Sequence, residues 1–258
     1  MLINIIGKPG TGKSTLIANL ACAFAKAGRR TAIMSTDMTY QSLQYYFSNT
    51  KIEPEQSLGL MFQKKDVRRP EKYFVRAQGY GDVYVAGISG GEASLKYDLP
   101  EKEDINIFLD ELKNSFDFVL VENAENISSR LSYLSLIKSD IILDVIDLSI
   151  QGISYKLSVR DILQNIGTNK QIISISAPNK GFKSKGRAEK ALELNLDFQI
   201  PYCQVATMCA NSGIPIICAS AGEGRVKFAK FIESLKNTLE KEVCGTVTSL
   251  DKVPLNSK

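Results

Sequence analysis

The residue types best suited to chemistry lie near the amino terminus, in the segment Gly7-Lys8-Pro9-Gly10-Thr11-Gly12-Lys13-Ser14. This segment matches the pattern G-x-x-x-x-G-K-[ST] at every fixed position. Its glycines permit backbone angles that are closed to other residues, so successive amide N–H groups can curve around a phosphate. Lys13 is then expected to reach the β- and γ-phosphates of a nucleotide, and the hydroxyl of Ser14 is expected to ligate Mg²⁺.

The elements on either side of this loop are those that a phosphate site requires. Leu2 to Ile6 is a short apolar run rich in β-branched residues, which predicts a buried strand. The periodic stretch Ser14 to Ala27 predicts a helix, whose first amides and macrodipole favour an anion. A glycine-rich turn that binds nothing is the alternative, and it is disfavoured because the motif and its context are both present.

Two acidic residues are predicted to lie at the same end of the sheet as the loop. Asp37 follows a predicted strand over Thr31 to Ser35, and Glu122 ends an apolar strand that begins near Phe116. Ligands gather outside the carboxyl ends of parallel strands, so Asp37 is expected to face a nucleotide and Glu122 is expected to reach the Mg²⁺ region. Each also has a plainer interpretation, Asp37 as a helix N-cap or turn residue and Glu122 as an ordinary acid at a strand end.

A later segment, Ala177 to Phe182, indicates which base would be bound. Asn179-Lys180 is similar to the N-K-x-D loop of GTPases, but Phe182 stands where that loop has its aspartate. The aspartate is the acceptor that distinguishes guanine, so its absence favours adenine. The nucleotide predicted from the sequence is therefore ATP.

Predicted strands and helices alternate along the whole chain, which is typical of an α/β fold with three layers, a mostly parallel sheet and helices on both faces. We predict one P-loop ATPase domain over 1–243, and a polar, disordered tail over 244–258. For residues 51–80 we predict a loop with one short helix, and we expect this segment to act as a lid or a partner-binding region. Later predicted elements are helices over 101–116, 154–163, 187–196, 205–211 and 224–243, and strands over 82–88, 139–146, 171–176, near 200 and over 214–219.

Composition restricts the class of protein. The 258 residues contain no histidine, which excludes any mechanism that needs an imidazole, and five dispersed cysteines, which are typical of reduced thiols. No apolar run approaches the ~20 residues that span a bilayer, and neither a signal peptide nor a carboxyl-terminal membrane anchor is evident, so a cytoplasmic protein is expected. Two basic groups could contact DNA, although a solvated surface is favoured for each: Lys64, Lys65, Arg68, Arg69 and Lys72, and Lys180, Lys183, Lys185, Arg187 and Lys190.

Several of these segments together resemble the ParA/MinD family of ATPases. The loop of that family reads K-G-G-x-G-K-[ST], and this chain differs from it only at Pro9. The family's signature lysine falls on Lys8, and its first switch aspartate falls on Asp37. Further similar segments are Asn19 to Gly28, Phe116 to Glu122, Ile200-Pro201 with Val205, and Gly213 to Ile216.

The resemblance implies an ATP-dependent switch in which two subunits enclose two nucleotides and recruit a protein cargo or regulator. It implies catalytic roles for Lys8, Lys13 and Asp37, with Lys8 reaching the partner's phosphates across the homodimer interface. The Mg²⁺ ligands implied are Ser14, Asp37 and Glu122. The nucleotide-binding residues implied are Lys8, Pro9, Gly10, Thr11, Gly12, Lys13, Ser14, Thr15, Asn179, Pro201 and Tyr202.

One segment departs from the family pattern. The family's second switch reads D-x-P-x-G, and this chain has Glu122-Asn123-Ala124-Glu125-Asn126 in its place. This change favours ATP binding over efficient hydrolysis, and it leaves open a scaffold that dimerises with nucleotide but hydrolyses little. Three other classes of protein are alternatives. An AAA-type ATPase would need an Asp-Glu pair at Glu122-Asn123, a small-molecule kinase would use residues 64–72 as a lid, and a bacterial tyrosine kinase would need a carboxyl-terminal tyrosine cluster beyond Tyr202.

Overall fold

The fold is built on one twisted sheet. The structure, a computed structural model, describes residues 1–92, 96–167, 170–178 and 185–250. Its strands are β1 (Leu2–Ile6), β2 (Thr31–Ser35), β3 (Val75–Arg76), β4 (Val83–Ala86), β5 (Phe118–Glu122), β6 (Ile141–Ile146), β7 (Gln171–Ser176) and β8 (Phe198–Gln199). Its helices are α1 (Lys13–Lys26), α2 (Leu58–Gln63), α3 (Lys102–Ser115), α4 (Arg130–Lys138), α5 (Ile150–Gly167), α6 (Lys185–Leu192), α7 (Ala206–Asn211) and α8 (Arg225–Leu250).

The strand order is β3-β4-β2-β5-β1-β6-β7-β8, and every pair is parallel except β3 with β4. In this register Glu122 lies beside Ile5 of β1 on one side and beside Ser35 of β2 on the other. The carboxyl ends of the three central strands therefore meet at one edge of the sheet. The predicted mostly parallel α/β sheet is confirmed.

Alternating residues of the central strands supply two hydrophobic layers. Ile3 and Ile5 of β1 belong to the layer that packs under α1 and α8, whereas Leu2 belongs to the opposite layer under α3. All five residues of β1 are buried, which is expected of a parallel strand covered on both faces. The predicted arrangement of three layers is confirmed.

Two predicted elements differ in the structure. The predicted strand over 214–219 is instead a 3₁₀ turn, Ile216–Cys218, in which the carbonyl of Pro215 accepts from the amide of Cys218 at 2.8 Å. Its apolar residues pack against α1 without joining the sheet, and a short apolar run does not distinguish these two outcomes. The closing helix α8 continues past the predicted end at Val243 to Leu250, and residues 251–258 of the predicted tail lie outside the described residues.

Residues 51–80 cover part of one face of the sheet and add the edge strand β3 to it. They contain α2, two 3₁₀ turns (Pro54–Gln56 and Pro70–Tyr73) and the short strand β3. Met61, Phe62 and Phe74 are buried in the layer shared with α3, whereas Ile52 and Ala77 belong to the opposite layer. No helix in the described part of the chain is both long enough and apolar enough to cross a membrane.

Candidate functional site

The loop between β1 and α1 has the backbone geometry that its glycines allow. Gly10 and Gly12 have φ values of 79° and 91°, and Gly7 has a φ of 146°. A Cβ at Gly7 would lie 2.4 Å from the carbonyl oxygen of Val145 in β6, so this position accepts only glycine. The loop therefore passes close to the sheet and then turns sharply into α1.

The amino end of α1 presents amide donors to an open cavity. The first hydrogen bond of the helix runs from the amide of Leu16 to the carbonyl of Gly12 at 2.9 Å, so the amides just before it have no acceptor within the helix. The cavity in front of them has a volume of about 450 Å³. Its lining comprises Pro9, Gly10, Gly12, Lys13, Ser14, Thr15, Ser35, Asp37, Tyr40, Ser42, Tyr46, Glu122, Asn123, Ala124 and Glu125.

The ammonium group of Lys13 lies within the loop itself. It donates to the carbonyl oxygen of Gly7 at 2.8 Å and to that of Lys8 at 3.4 Å. Burial lowers the pKa of Lys13, although the charges of Glu122 and Glu125 act in the opposite direction. A buried cation bonded to neutral carbonyls gains much from an anion in the adjoining cavity.

The oxygen atoms expected to bind Mg²⁺ converge at the same cavity. The hydroxyl of Ser14 donates to Oε1 of Glu122 at 2.6 Å, and Asp37 lines the cavity beside them. Within the described ranges, no group of three or more acidic or cysteine side chains is arranged so that it could hold a metal ion by itself. Mg²⁺ commonly takes one or two carboxylates and completes its shell with phosphate oxygens and water. One hydroxyl and two carboxylates at a phosphate loop fit that requirement.

Both carboxylates, Glu122 and Asp37, also interact with neighbouring groups of their own chain. Burial raises the pKa of Glu122, and the neighbouring Asp37 raises it further, whereas Ser14 and Lys13 lower it. Oδ1 of Asp37 accepts from the amides of Thr39 at 2.8 Å and Tyr40 at 3.2 Å. Asp37 is thus a turn residue that also lines the cavity. The structure agrees with both interpretations made from the sequence, a turn residue and a carboxylate near the nucleotide.

Lys8 forms an ion pair within its own chain. Its Nζ lies 3.6 Å from a carboxylate oxygen of Asp147, which directly follows β6. Burial would raise the pKa of Asp147, but hydrogen bonds from Ser149 and the charge of Lys8 hold that pKa below its usual value. Sequence reasoning missed Asp147, although its place after a central parallel strand is the signal that identified Asp37.

A second cavity of about 280 Å³ adjoins the loop. It shares Gly10, Gly12 and Thr15 with the first cavity. Its remaining lining is mostly apolar: Leu16, Pro178, Ile200, Pro201, Tyr202, Cys203, Gln204, Ala206, Thr207, Ile216 and Phe228. Its apolar lining suits an aromatic base next to a phosphate site.

Other predicted site residues are placed as follows. Thr15 bonds through its hydroxyl to that of Tyr46 at 3.1 Å, a contact that the sequence did not indicate. Thr11 lines neither cavity, because its hydroxyl and amide are both used by the carbonyl of Lys8, at 2.9 Å and 3.4 Å. Asn179 lies outside the described residues.

A buried polar network connects the loop after β2 with the loop after β5. The hydroxyl of Thr36 accepts from the amide of Ala124 at 2.8 Å and bonds to the hydroxyl of Ser132 on α4, also at 2.8 Å. The side-chain amide of Asn123 donates to Oδ1 of Asn4 at 3.1 Å and to the carbonyl of Ser132 at 3.2 Å. Sequence reasoning missed this network, because Asn4 reads as part of an ordinary strand and Thr36 as a residue of the loop that follows one.

The chain is similar to known nucleotide-binding proteins. A family model described as the CobQ/CobB/MinD/ParA nucleotide binding domain matches residues 2–252. The septum site-determining protein MinD of Thermotoga maritima is 21% identical over 244 residues, which cover 92% of this chain and 86% of that protein.

Two solved structures share the fold. The MinC:MinD cell division protein complex of Aquifex aeolicus has a TM-score of 0.74 at 20% identity, covering 99% of this chain and 98% of that one. MinD of Pyrococcus horikoshii, complexed with Mg-ADP, has a TM-score of 0.72 at 21% identity, covering 91% and 95%. Because the family model spans nearly the whole chain, this protein belongs to the ParA/MinD family of P-loop ATPases.

Proposed function

We propose that this protein is an ATP-dependent dimerisation switch that positions or recruits a protein partner and hydrolyses ATP slowly. The observation that carries the proposal is the convergence of Lys13, Ser14, Asp37 and Glu122 on one cavity at the amino end of α1. A cation, a hydroxyl and two carboxylates at a helix amino terminus suit a magnesium-bound triphosphate.

In this proposal, the binding of ATP replaces hydrogen bonds that Lys13 makes within the loop. Lys13 exchanges the carbonyls of Gly7 and Lys8 for phosphate oxygens, which carry the charge that those carbonyls lack. Ser14, Asp37 and Glu122 would hold Mg²⁺, which when bound supplies positive charge to the β- and γ-phosphate oxygens.

The second cavity is the proposed site of the base. Pro201 and Tyr202 line it, and it meets the phosphate cavity at Gly10, Gly12 and Thr15. The relative from Pyrococcus horikoshii carries Mg-ADP, which supports adenine as the base. Asn179 remains a proposed neighbour of the base.

Dimerisation is proposed to use Lys8. In the single chain Lys8 pairs with Asp147 at 3.6 Å, and both side chains are partly exposed. Partly exposed ion pairs contribute little stability, on the order of 0–1 kcal/mol, so Lys8 can leave Asp147 at low cost. A γ-phosphate of a second subunit would offer it a stronger partner.

A scaffold that binds ATP but hydrolyses little is the second candidate, and the loop after β5 favours it. Asn123 is fixed by two hydrogen bonds, and the amide of Ala124 already donates to Thr36. A loop tied down in this way has less freedom to reorganise around an attacking water. Dimers that form with ATP and release no phosphate would identify this candidate.

The class of partner is also a proposal. The Aquifex aeolicus relative is described as a complex of MinC with MinD, which supports a protein partner here. DNA binding has weaker support, because Lys65 and Lys72 of the first basic group pair with Glu101 and Asp66. A cytoplasmic location is proposed because ATP and free thiols are both maintained there.

The test of this function is ATP turnover by the wild type and by Lys13→Ala. We predict at least a tenfold loss of ATP affinity and turnover in the variant, because the buried ammonium group of Lys13 lies within the loop at the phosphate cavity. Lys113→Ala is the matched control, since Lys113 pairs with Asp140 at the surface. Equal turnover in Lys13→Ala and the wild type would remove the claim that this protein is an ATPase.

A further inference from the structure

Two thiols meet where helix α1 contacts the 3₁₀ turn Ile216–Cys218. Cys22 of α1 is buried and Cys218 of the turn is partly exposed. Cys218 packs against the hydrophobic cluster that contains Cys22. Neither cysteine lines the phosphate cavity or the base cavity, so the pair lies outside the site described above.

Two cations lie beside the thiols. Nζ of Lys26 and an Nη of Arg225 each donate to the carbonyl oxygen of Ile217 at 3.3 Å, directly before Cys218. The Nε–H group of Arg225 is buried and has no acceptor. Within the described part of the chain neither cation pairs with a carboxylate. A negative charge on Cys218 would therefore be stabilised from two sides.

The turn is held against α1 independently of its sulfur atoms. The amide of Ile217 donates to Oδ1 of the fully buried Asn19 at 2.9 Å. Asn19 and Lys26 lie on α1, before and after Cys22. These contacts hold the two chain segments together while a sulfur–sulfur bond of about 2.05 Å forms.

We propose that Cys22 and Cys218 form a redox-active pair that hydrogen peroxide converts to a reversible disulfide. The Cys218 thiolate attacks one oxygen of the peroxide and becomes a sulfenic acid, while the other oxygen leaves as hydroxide and is protonated to water. Cys22 then attacks the sulfenic sulfur, and its proton leaves with the hydroxyl as a second water. Two thiols and one peroxide thus give one disulfide and two waters.

The pKa values of the four described cysteines agree with Cys218 as the attacking thiol and Cys22 as the thiol that closes the disulfide. The hydrogen bond from Cys22, with the charges of Lys26 and Arg225, lowers the pKa of Cys218 to about 7, although burial opposes the shift. The same hydrogen bond and burial raise the pKa of Cys22. Burial raises the pKa of Cys203 and of Cys209. Cys218 is therefore the attacking thiol and Cys22 the resolving one.

The experiment treats the reduced full-length protein with one equivalent of hydrogen peroxide and maps its peptides by mass spectrometry without reduction. The expected product is a Cys22–Cys218 linked peptide that dithiothreitol removes. Alkylation of native Cys218 by iodoacetamide is expected to be half-maximal near pH 7. Cys22→Ser should retain a sulfenic acid at Cys218, which dimedone traps, and Cys209→Ser should still form the disulfide.

Lys26→Gln keeps both thiols and removes an exposed cation, so it tests the proposal even if a cysteine variant fails to fold. We expect its oxidation to be slower than that of the wild type by about threefold, since a smaller fraction of Cys218 would be thiolate. Oxidation that links Cys203 to Cys209 first, or that leaves Cys22 and Cys218 as thiols, would overturn the proposal. An unchanged oxidation rate in Lys26→Gln would overturn the role of the cations.

Discussion

Two charged residues at the centre of the site are buried before any ligand arrives. Lys13 has a lowered pKa and Glu122 a raised one, and burial is the main cause in both cases. Each group is thus less stable as an ion than it would be in water. A bound triphosphate and Mg²⁺ would supply the opposite charges, so the free protein gives up some stability for ligand affinity.

Glu122→Gln tests this trade-off at a single residue. We expect the nucleotide-free variant to be more stable than the wild type by about 1 kcal/mol near pH 7, because a buried charge is removed. The folded pKa of Glu122 is raised, so its unfavourable contribution appears only as the pH rises above the unfolded value of about 4.3. The stability difference should therefore be smaller near pH 4.5 than near pH 7.5.

Urea unfolding at the two pH values measures the difference, and Glu55→Gln is the control because Glu55 is exposed. The same Glu122→Gln protein should lose magnesium-dependent ATP binding. A variant that is less stable than the wild type at both pH values would show that Glu122 stabilises the free protein.

At the scale of elements, the loops after β2 and β5 are linked by side chains. Thr36 bonds to the amide of Ala124 and to Ser132 of α4, so movement of one loop is transmitted to the other and to that helix. The family pattern has a glycine in the second loop where this chain has Asn126. The hydrogen bonds of the network restrain this second loop at Asn123 and Ala124.

Thr36→Val tests the connection, because valine has a similar shape and no hydroxyl. Loss of the acceptor leaves the Ala124 amide unpaired, which should reduce stability by about 1–3 kcal/mol. Hydrogen exchange at Ala124 should become faster. Thr31→Val is the matched control, since Thr31 is buried in β2 and its hydroxyl bonds only locally, to the carbonyl of Arg29. Unchanged exchange at Ala124 in Thr36→Val would show that the loops are not coupled through this hydroxyl.

The elements also show what the sequence can and cannot predict. The strand, glycine loop and helix around Lys13 were predictable because local backbone preferences and a fixed spacing determine them. The ion pair of Lys8 with Asp147 joins residues that only the strand order brings together. The apolar run before Cys218 was predicted as a strand, and Asn19 and α1 hold it as a turn instead. Contacts between distant residues decided both outcomes.

At the scale of the whole molecule, a buried ion pair joins the sheet to α5. Asp144 in β6 contacts Lys156, and both side chains are almost fully buried. Burial raises the pKa of Asp144 even though Lys156 opposes the shift. Such a pair adds little net stability by itself, but removing one partner leaves an uncompensated charge inside the protein.

Lys156→Met is therefore expected to lower the free energy of unfolding by about 3–5 kcal/mol. The loss should grow as the pH rises through the raised pKa of Asp144, because the unpaired carboxylate must ionise in the interior. The double variant Asp144→Asn with Lys156→Met should recover most of the loss in urea unfolding. Lys138→Met, which breaks the exposed pair with Asp110, should cost about 1 kcal/mol or less. A comparable loss in Lys138→Met would contradict the special role of the buried pair.

The whole molecule is proposed to act as a switch between one chain and two, and Lys8 is the residue that must change partners. Sedimentation velocity with Mg-ATP, and again with Mg-ADP, tests this most directly when wild type and Lys8→Ala are compared. We predict that the wild type sediments as a dimer with ATP and as a monomer with ADP, and that Lys8→Ala stays monomeric with both. A wild type that stays monomeric with saturating ATP, or a Lys8→Ala protein that dimerises equally well, would contradict it.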